Sequence, residues 1–429
     1  MDVRASSLLN LSAQAIALEQ RYAAPNYAPI PAVLTRGDDC WLWDAEGRRY
    51  LDFMSAYSAV SHGHAHPRLV QALIEQAQQV AVTSRAYHST TLGPFLQALV
   101  DAAGLDAPSR ALPASGGCES VETAIKAARR WGYRVKGIPA DRAEIVVACG
   151  NFHGRSSTVV GFSTEASYRQ DFGPFTPGFR HFDFGDIESL KRTIDEYTCA
   201  VLIEPIQGEA GIVVPPEGFL AAVRRLCDER GVLLILDEVQ SGLGRTGAMF
   251  AYMHEGVRPD GVIVGKALGG GLLPVSAFVA RAEILDLMGP GSHGSTFGGN
   301  PLAARVGLEA LRVLQDEHLV ERSRTLGAHL LARLQALDSP FIRAVRGRGL
   351  WVGVELDGSR ISTRGVVERM AERGVLSKET HETVIRFAPP LTISQEQLDW
   401  GIDVFTEVLA QSRPLPGALL AAGTIAATA

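Results

Sequence analysis

Lys266 stands between the apolar run Val262-Ile263-Val264-Gly265 and the stretch Ala267-Leu268-Gly269-Gly270-Gly271. Few surface lysines have such neighbours. Desolvation disfavours the ammonium, and the neutral amine is the form that makes a Schiff base with an aldehyde. On position alone, a strand-end lysine meeting solvent fits equally well. Asp237 shifts the balance, because it ends a second apolar run, Val232–Leu236. A buried carboxylate there keeps a pyridine nitrogen protonated and makes the ring an electron sink. Taken alone, Asp237 also fits a helix cap or a loop carboxylate.

A pyridine-aldehyde cofactor with a phosphate needs backbone N–H donors, best supplied at a helix start. Ser115-Gly116-Gly117-Cys118 precedes a helical pattern of Val121, Ala124, Ile125 and Ala128. A plain turn is the alternative there. Gly294-Ser295-Thr296-Phe297-Gly298-Gly299-Asn300 is a second candidate, whose hydroxyls could reach a phosphate in the same chain or in a partner subunit. Phe152 could cover one face of a pyridine ring; a core phenylalanine is the other reading. His153 has no second ligand at helical spacing and no carboxylate at metal spacing, so no metal site is expected. His62, His64 and His66 alternate, and a turn into the next helix is preferred over a metal site.

The elements that must position these groups follow from hydrophobic pattern. Ile145–Ala148, Val201–Ile203, Val232–Leu236 and Val262–Val264 are short, β-branched and without polar alternation. Such runs fit strands buried on both faces in a parallel sheet covered by helices. Phe219–Arg230 reads as a helix between two of them, which makes a βαβ unit. In open α/β sheets ligands bind beyond the carboxyl ends of the strands. The segments there are Gly150–Arg155, Glu204–Glu209, Asp237–Gln240 and Gly265–Lys266. Trp41–Trp43 and Arg49–Phe53 read as a strand pair around the turn Asp44–Gly47. A helical period runs from about 66 to 82, and another helix over Pro301–Glu317. Gly349–Glu355 and Thr383–Phe387 read as later strands. We expect a large domain over 60–310, a smaller one from 1–59 with 311–412, and a poorly ordered Ala/Gly/Pro/Leu-rich tail over 413–429.

The bulk properties limit the function classes. The 429 residues carry a net charge of -6 and no long basic run, so neither nucleic acid nor an anionic membrane is an expected partner. The five scattered cysteines include no Cys-x-x-Cys pair and fit reduced thiols. No stretch reads as a membrane span, the first twenty residues lack a signal core, and the cytoplasm is the expected location.

The motifs Leu236-Asp237-Glu238-Val239-Gln240-Ser241-Gly242, Gly244-Arg245-Thr246-Gly247, Gly265–Gly271 and Gly294–Pro301, in this order and spacing, resemble the class-III aminotransferases of fold type I. The resemblance covers about residues 20 to 410. Within that class the chain is most similar to ornithine δ-aminotransferases, especially bacterial ones. The stretches Asn26–Pro29, Tyr57–Val60, Thr83–Ala86, Gly173–Phe175, Glu204–Gly211 and Lys378–His381 with Ile385–Pro390 carry this similarity. The resemblance implies an α/β fold: a large domain with a mostly parallel central sheet plus a smaller α+β domain. It implies pyridoxal phosphate as cofactor, bound to Lys266, which also moves the substrate proton. Asp237 would pair with the pyridine nitrogen and Gln240 with the phenolic oxygen. Phe152 and Val239 would flank the ring. Gly117 and Cys118 would hold the phosphate through backbone, with Thr296 and Ser295 from the other subunit of a homodimer.

The resemblance also implies a substrate logic. Tyr27 and Arg155 hold the ornithine α-carboxylate, while Glu209 covers Arg386. When glutamate binds, Glu209 turns away, Arg386 takes the α-carboxylate and Arg155 the distal one. Tyr57 favours the δ-amine. The implied reaction is ornithine plus 2-oxoglutarate to glutamate 5-semialdehyde, which cyclises to pyrroline-5-carboxylate, and glutamate. An acetylornithine, 4-aminobutyrate or other ω-amino acid donor is the alternative, and a class-III racemase or epimerase a third. Two departures stand out. The phosphate loop reads Ser115-Gly116-Gly117-Cys118-Glu119-Ser120 where relatives have Asn-Thr-Gly, a small apolar residue, Glu and Ala. His153 replaces a tryptophan of animal members.

Overall fold

The computed structural model describes residues 11–106 and 108–415. The first described element is a helix, Leu11–Tyr22, with no buried residue, followed by strands β1 (Leu34–Asp38), β2 (Trp41–Asp44) and β3 (Arg49–Asp52). Asp44 shapes the turn between β2 and β3: its Oδ1 accepts from the amides of Glu46 and Arg48, and its Oδ2 from the Tyr50 hydroxyl at 2.7 Å.

The middle of the chain forms one seven-stranded sheet. Its strands are β4 (Ser109–Ala114), β5 (Glu144–Ala148), β6 (Phe179–Phe182), β7 (Thr198–Ile203), β8 (Leu233–Asp237), β9 (Gly261–Val264) and β10 (Ser276–Arg281), in the order β4-β10-β9-β8-β7-β5-β6. The ladders from β9 through β8, β7 and β5 to β6 are all parallel. β10 alone runs against its two neighbours. The four apolar runs read as strands are thus four consecutive strands of the sheet. Their alternate residues divide between two cores. Ile145, Val147, Leu202, Ile235 and Ile263 pack with Val121, Ile125 and Ala128 of the helix Gly117–Arg134. Val146, Ala148, Val201, Ile203, Leu234, Leu236, Val262 and Val264 pack on the opposite face with Leu220 and Val223 of the helix Phe219–Arg230. Burial on both faces explains why these strands show no polar alternation.

The strands the pattern does not announce have physical reasons to be quiet. β4 carries Pro113, which an edge strand tolerates. β6 is the other edge and is mostly half-buried. β10 is buried, but Ser276, Ala277 and Ala280 make its apolar signal weak.

The last third adds β11 (Ile342–Gly347), β12 (Val352–Leu356), β13 (Val375–Leu376), β14 (Glu379–Thr380) and β15 (Val384–Phe387). β11, β12, β15 and β14 form an antiparallel sheet. β13 instead pairs with β3 in parallel, so a late segment joins the N-terminal sheet. Several expected boundaries shift, among them the start of β7, which is Thr198 and not Val201. The helix read over about 66–82 is Pro67–Ala77. The strand read from Gly349 begins at Val352, because Gly349 takes a φ of +61° and presses on the Arg245–Thr246 backbone. A Cβ there would lie 2.4 Å from the Thr246 carbonyl carbon. Of the expected tail, 416–429 lies outside the described residues, whereas Leu415 donates its amide to Arg360 O at 2.8 Å. No helix among the described residues is long and apolar enough to cross a membrane.

Candidate active site

A cavity of about 190 Å³ lies beyond the carboxyl ends of β5, β7, β8 and β9. Its wall includes Gly117, Cys118, Phe152, His153, Glu204, Asp237, Val239, Gln240 and Lys266. Seven of the expected cofactor residues therefore meet in one place. Lys266 stands one residue, Gly265, beyond β9 and takes a φ of +45°, a conformation that L-residues avoid. Burial lowers its pKa and Arg386 adds to the lowering; Glu209 and Asp237 pull it back. The net shift favours the neutral, nucleophilic amine.

Asp237 ends β8. Its Oδ1 accepts from the Val239 amide at 3.0 Å, and its Oδ2 meets His153 Nδ1 at 2.7 Å. His153 is wholly buried. Burial lowers its pKa, but the hydrogen bond and charge of Asp237 outweigh that, and the value is raised. Glu204 ends β7 and joins two loops: its oxygens accept from the amides of Phe152 at 2.9 Å and Gly208 at 3.1 Å. Burial pushes its pKa up to about 7. Neither residue is expected at the site from sequence: His153 enters there only as a possible metal ligand and as a departure from animal members, and Glu204 only as part of a strand-end segment. Both occupy strand-end segments already singled out, so the signal was present: the rule that selected Phe152 and Asp237 applies to them too.

The far end of the cavity is built by a helix start. Glu119 reaches back to accept from the Ser115 and Gly116 amides, at 2.7 and 3.2 Å. That leaves Gly117 and Cys118, the first residues of the helix, whose amides have no intrahelical acceptor. The unusual Ser120 does not face the cavity. It is buried and donates to Ser276 Oγ at 2.8 Å, and Ser276 donates to Gly116 O at 2.7 Å. Cys118 packs on Gly154, where a Cβ would lie 2.7 Å from its Sγ.

Glu209 and Arg386 form a two-pronged ion pair. Nη1 donates to Oε1 at 2.8 Å, and Nη2 to Oε2. The Arg386 guanidinium lies 5.1 Å from the Tyr57 ring centroid and is buried. Burial raises the Glu209 pKa, but Arg386 outweighs it and the value is lowered. Gln240 Nε2 also donates to Glu209 Oε1, at 3.1 Å, leaving Gln240 Oε1 buried without a partner. Gly208 permits this approach, since a Cβ there would meet Gln240 Oε1 at 2.7 Å.

Tyr57 rides on an unusual turn. Ser55, Ala56, Tyr57 and Ser58 have φ of +41°, +47°, +60° and +72°. Left-handed backbone costs about 1–2 kcal/mol per residue, so specific contacts must hold the turn. Asp52 Oδ1 accepts from the amides of Met54 and Ser55, both at 2.8 Å. Tyr27 is 76% exposed on the single chain. Arg155 is exposed and stacks on the Tyr168 ring at 3.6 Å, with the Phe152 ring at 5.6 Å. No sequence signal pointed to Tyr168. Ser295 and Thr296 lie apart from the cavity wall: Ser295 Oγ accepts from the Gly298 amide, and Thr296 is exposed. The alternating histidines go to three separate partners, Ala310 O, Asp52 and Glu317.

Pyridoxal phosphate fits these donors. A buried lysine of lowered pKa suits its aldehyde, a carboxylate fixed by His153 suits its ring nitrogen, and two free amides at a helix start suit its phosphate. Gln240 and His153 each keep one buried polar atom without a partner.

Known proteins agree with this geometry. The aminotransferase class-III family model matches residues 22–409. An ornithine aminotransferase of Macrococcus caseolyticus is 52% identical over 396 residues, covering 92% of this chain and 98% of that one. The ornithine aminotransferase of Toxoplasma gondii, a structure with partial occupancy of pyridoxal phosphate at its active site, superposes with a TM-score of 0.91 at 41% identity, covering 94% and 95% of the chains. An acetylornithine aminotransferase of Elizabethkingia anophelis gives a TM-score of 0.86 at 45% identity, covering 94% and 99%. The chain is a member of the class-III aminotransferases, whose cofactor is pyridoxal phosphate.

Proposed function

We propose that this aminotransferase takes the δ-amine of ornithine and passes it to 2-oxoglutarate. The observation that carries the reading is the Glu209–Arg386 pair beneath Tyr57. A free guanidinium beside the cofactor would capture an α-carboxylate and bring the α-amine to the reacting position. With Glu209 on it, that charge is satisfied, and a diamino acid enters with its carboxylate elsewhere. Arg155 and Tyr27, nearer solvent, are the groups we assign to that carboxylate. The similarity to ornithine aminotransferases supports the same donor.

The cofactor, when bound, supplies the electron sink and carries the amino group between the two substrates. The chain supplies the rest. Lys266 Nζ, whose pKa burial lowers, takes the proton from the δ-carbon of the donor. Asp237, held in place by His153, would stabilise positive charge at the ring nitrogen, and the Gly117 and Cys118 amides would anchor the phosphate. In the second half-reaction Glu209 leaves Arg386, which then grips the α-carboxylate of 2-oxoglutarate in two-pronged fashion. Arg155 takes the distal carboxylate.

We assign residues 60–310 to the cofactor-binding unit and 1–59 with 311–412 to the smaller one. We further propose a homodimer in which Thr296, with Ser295, reaches the partner's phosphate. The exposed Tyr22, Tyr27, Tyr87 and Phe297 on the single chain support a covered surface. Five free cysteines fit a reducing compartment, and we place the enzyme in the cytoplasm.

The acetylornithine neighbour keeps a second donor in view. Purified protein incubated with ornithine and 2-oxoglutarate should yield pyrroline-5-carboxylate, trapped chemically; a cofactor-loaded enzyme that makes none, while turning over acetylornithine, selects the alternative. Keto-acid-independent loss of optical activity would instead indicate a racemase. Tyr57→Ile should shift preference from ornithine toward 4-aminobutyrate, and unchanged donor ratios would contradict the role given to Tyr57. His153→Leu strands the buried Asp237 carboxylate. A hydrogen bond to a charged group is worth about 1.5–3 kcal/mol, so kcat/KM should fall about 10- to 100-fold. His153→Gln, which keeps an N–H, should lose less; equal losses in both variants would show that volume, not the hydrogen bond, matters.

A further inference from the structure

The loop after β8 carries a guanidinium that the proposed chemistry does not use. Arg245 is fully buried and does not line the cofactor cavity. Its guanidinium is held by neutral acceptors. Nη1 donates to Leu350 O at 2.8 Å and to Pro389 O at 2.6 Å. Nη2 donates to Ser61 Oγ at 2.9 Å and to Ser55 Oγ at 3.2 Å. A buried charge held by uncharged partners is costly, so its presence calls for a reason.

The reason lies in what the four acceptors join. Ser55 and Ser61 bracket the left-handed turn that carries Tyr57. Pro389 follows β15 and sits three residues past Arg386. The link is reinforced on both sides. Ser55 Oγ donates onward to Ala388 O at 2.7 Å, and the Leu391 amide donates to Ser61 O at 2.8 Å. Ser61 Oγ donates to Ser58 O at 3.1 Å, inside the turn itself. One planar fork thus holds both ends of the Tyr57 turn against the segment that continues from Arg386. Lysine cannot reproduce this, because its ammonium is a point charge and not two fixed pairs of donors.

We propose that Arg245 is a positioning residue for donor selection: it sets the Tyr57 ring against Arg386. This deepens the donor reading above and rests on it. Arg245 does not line the cofactor cavity, so its loss should appear in substrate recognition and leave cofactor loading intact.

The test is Arg245→Lys in the pyridoxal phosphate-loaded enzyme, with Ser55→Ala as a milder second variant. Cofactor occupancy is read from the visible absorption of the lysine-bound cofactor. KM and kcat are measured for ornithine, glutamate and 4-aminobutyrate. The expected result for Arg245→Lys is full occupancy, a rise in KM of about 10-fold for ornithine and glutamate, and a lower ornithine-to-4-aminobutyrate ratio. Ser55→Ala should move both quantities the same way, by less. Wild-type KM values and donor ratio in a folded, loaded Arg245→Lys would overturn the proposal. If that variant does not fold, wild-type values in Ser55→Ala overturn it. A wild-type enzyme that ignores ornithine defeats the donor reading instead, and Arg245 is then judged by whether the variants change the ratio between the donors it does accept.

Discussion

A strand buried on both faces can show a polar side chain to a ligand only where it ends. β5, β7, β8 and β9 are such strands, and they lie side by side and parallel. Their ends therefore fall on one edge, and each delivers one part of the chemistry: Phe152 and His153, Glu204 and Glu209, Asp237 and Gln240, Lys266. The same burial that makes the strands apolar lowers the pKa of Lys266 and raises that of Glu204. The site's electrostatics are a consequence of where the sheet stops.

Within that edge the charges are arranged in dependent pairs. His153 fixes Asp237, and Glu209 neutralises Arg386 while sharing an oxygen with Gln240. Separating a buried ion pair without replacement costs about 3–5 kcal/mol. Glu209 can therefore leave Arg386 at low cost only when another carboxylate takes its place. Glutamate and 2-oxoglutarate bring one attached directly to the reacting carbon. Ornithine, reacting at its δ-end, does not. On the proposed reading, the pair distinguishes the two half-reactions by charge compensation, within one pocket. In the same proposal Arg245 and the left-handed turn at Tyr57 supply the rigidity this needs, since a loose Tyr57 would not define the space beside Arg386.

The sheet was legible from sequence because two-face burial leaves an unbroken apolar run, as in Val201–Ile203 and Leu233–Leu236. β4 with its Pro113, the half-buried edge β6 and the small-residue strand β10 left no such run and were not read. The site was legible where a strand end coincided with a charged or glycine-rich segment, as at Lys266, Asp237 and Gly117. His153 was legible in position but not in role, because its partner Asp237 is 84 residues away and is brought near by the β5–β7–β8 crossovers. Arg245 was legible as part of the Gly244–Gly247 motif but not in its partners, since Leu350 and Pro389 lie more than a hundred residues away, and no pattern marked Tyr168. Ser120, a departure from the family pattern, proves to face the sheet and not the cavity, which only the packing of its helix on β10 reveals.

The central claim is that the Glu209–Arg386 pair directs the δ-amine, and not the α-amine, to the cofactor. Ornithine labelled with heavy nitrogen at the δ-position alone tests it most directly. The enzyme is incubated with this donor and 2-oxoglutarate, and the glutamate formed is examined by mass spectrometry. The account predicts that wild-type glutamate carries the label, and that Glu209→Ala yields a substantial unlabelled fraction as the freed Arg386 captures the α-carboxylate. Unlabelled glutamate from the wild type, or fully labelled glutamate from Glu209→Ala at undiminished rate, would contradict it.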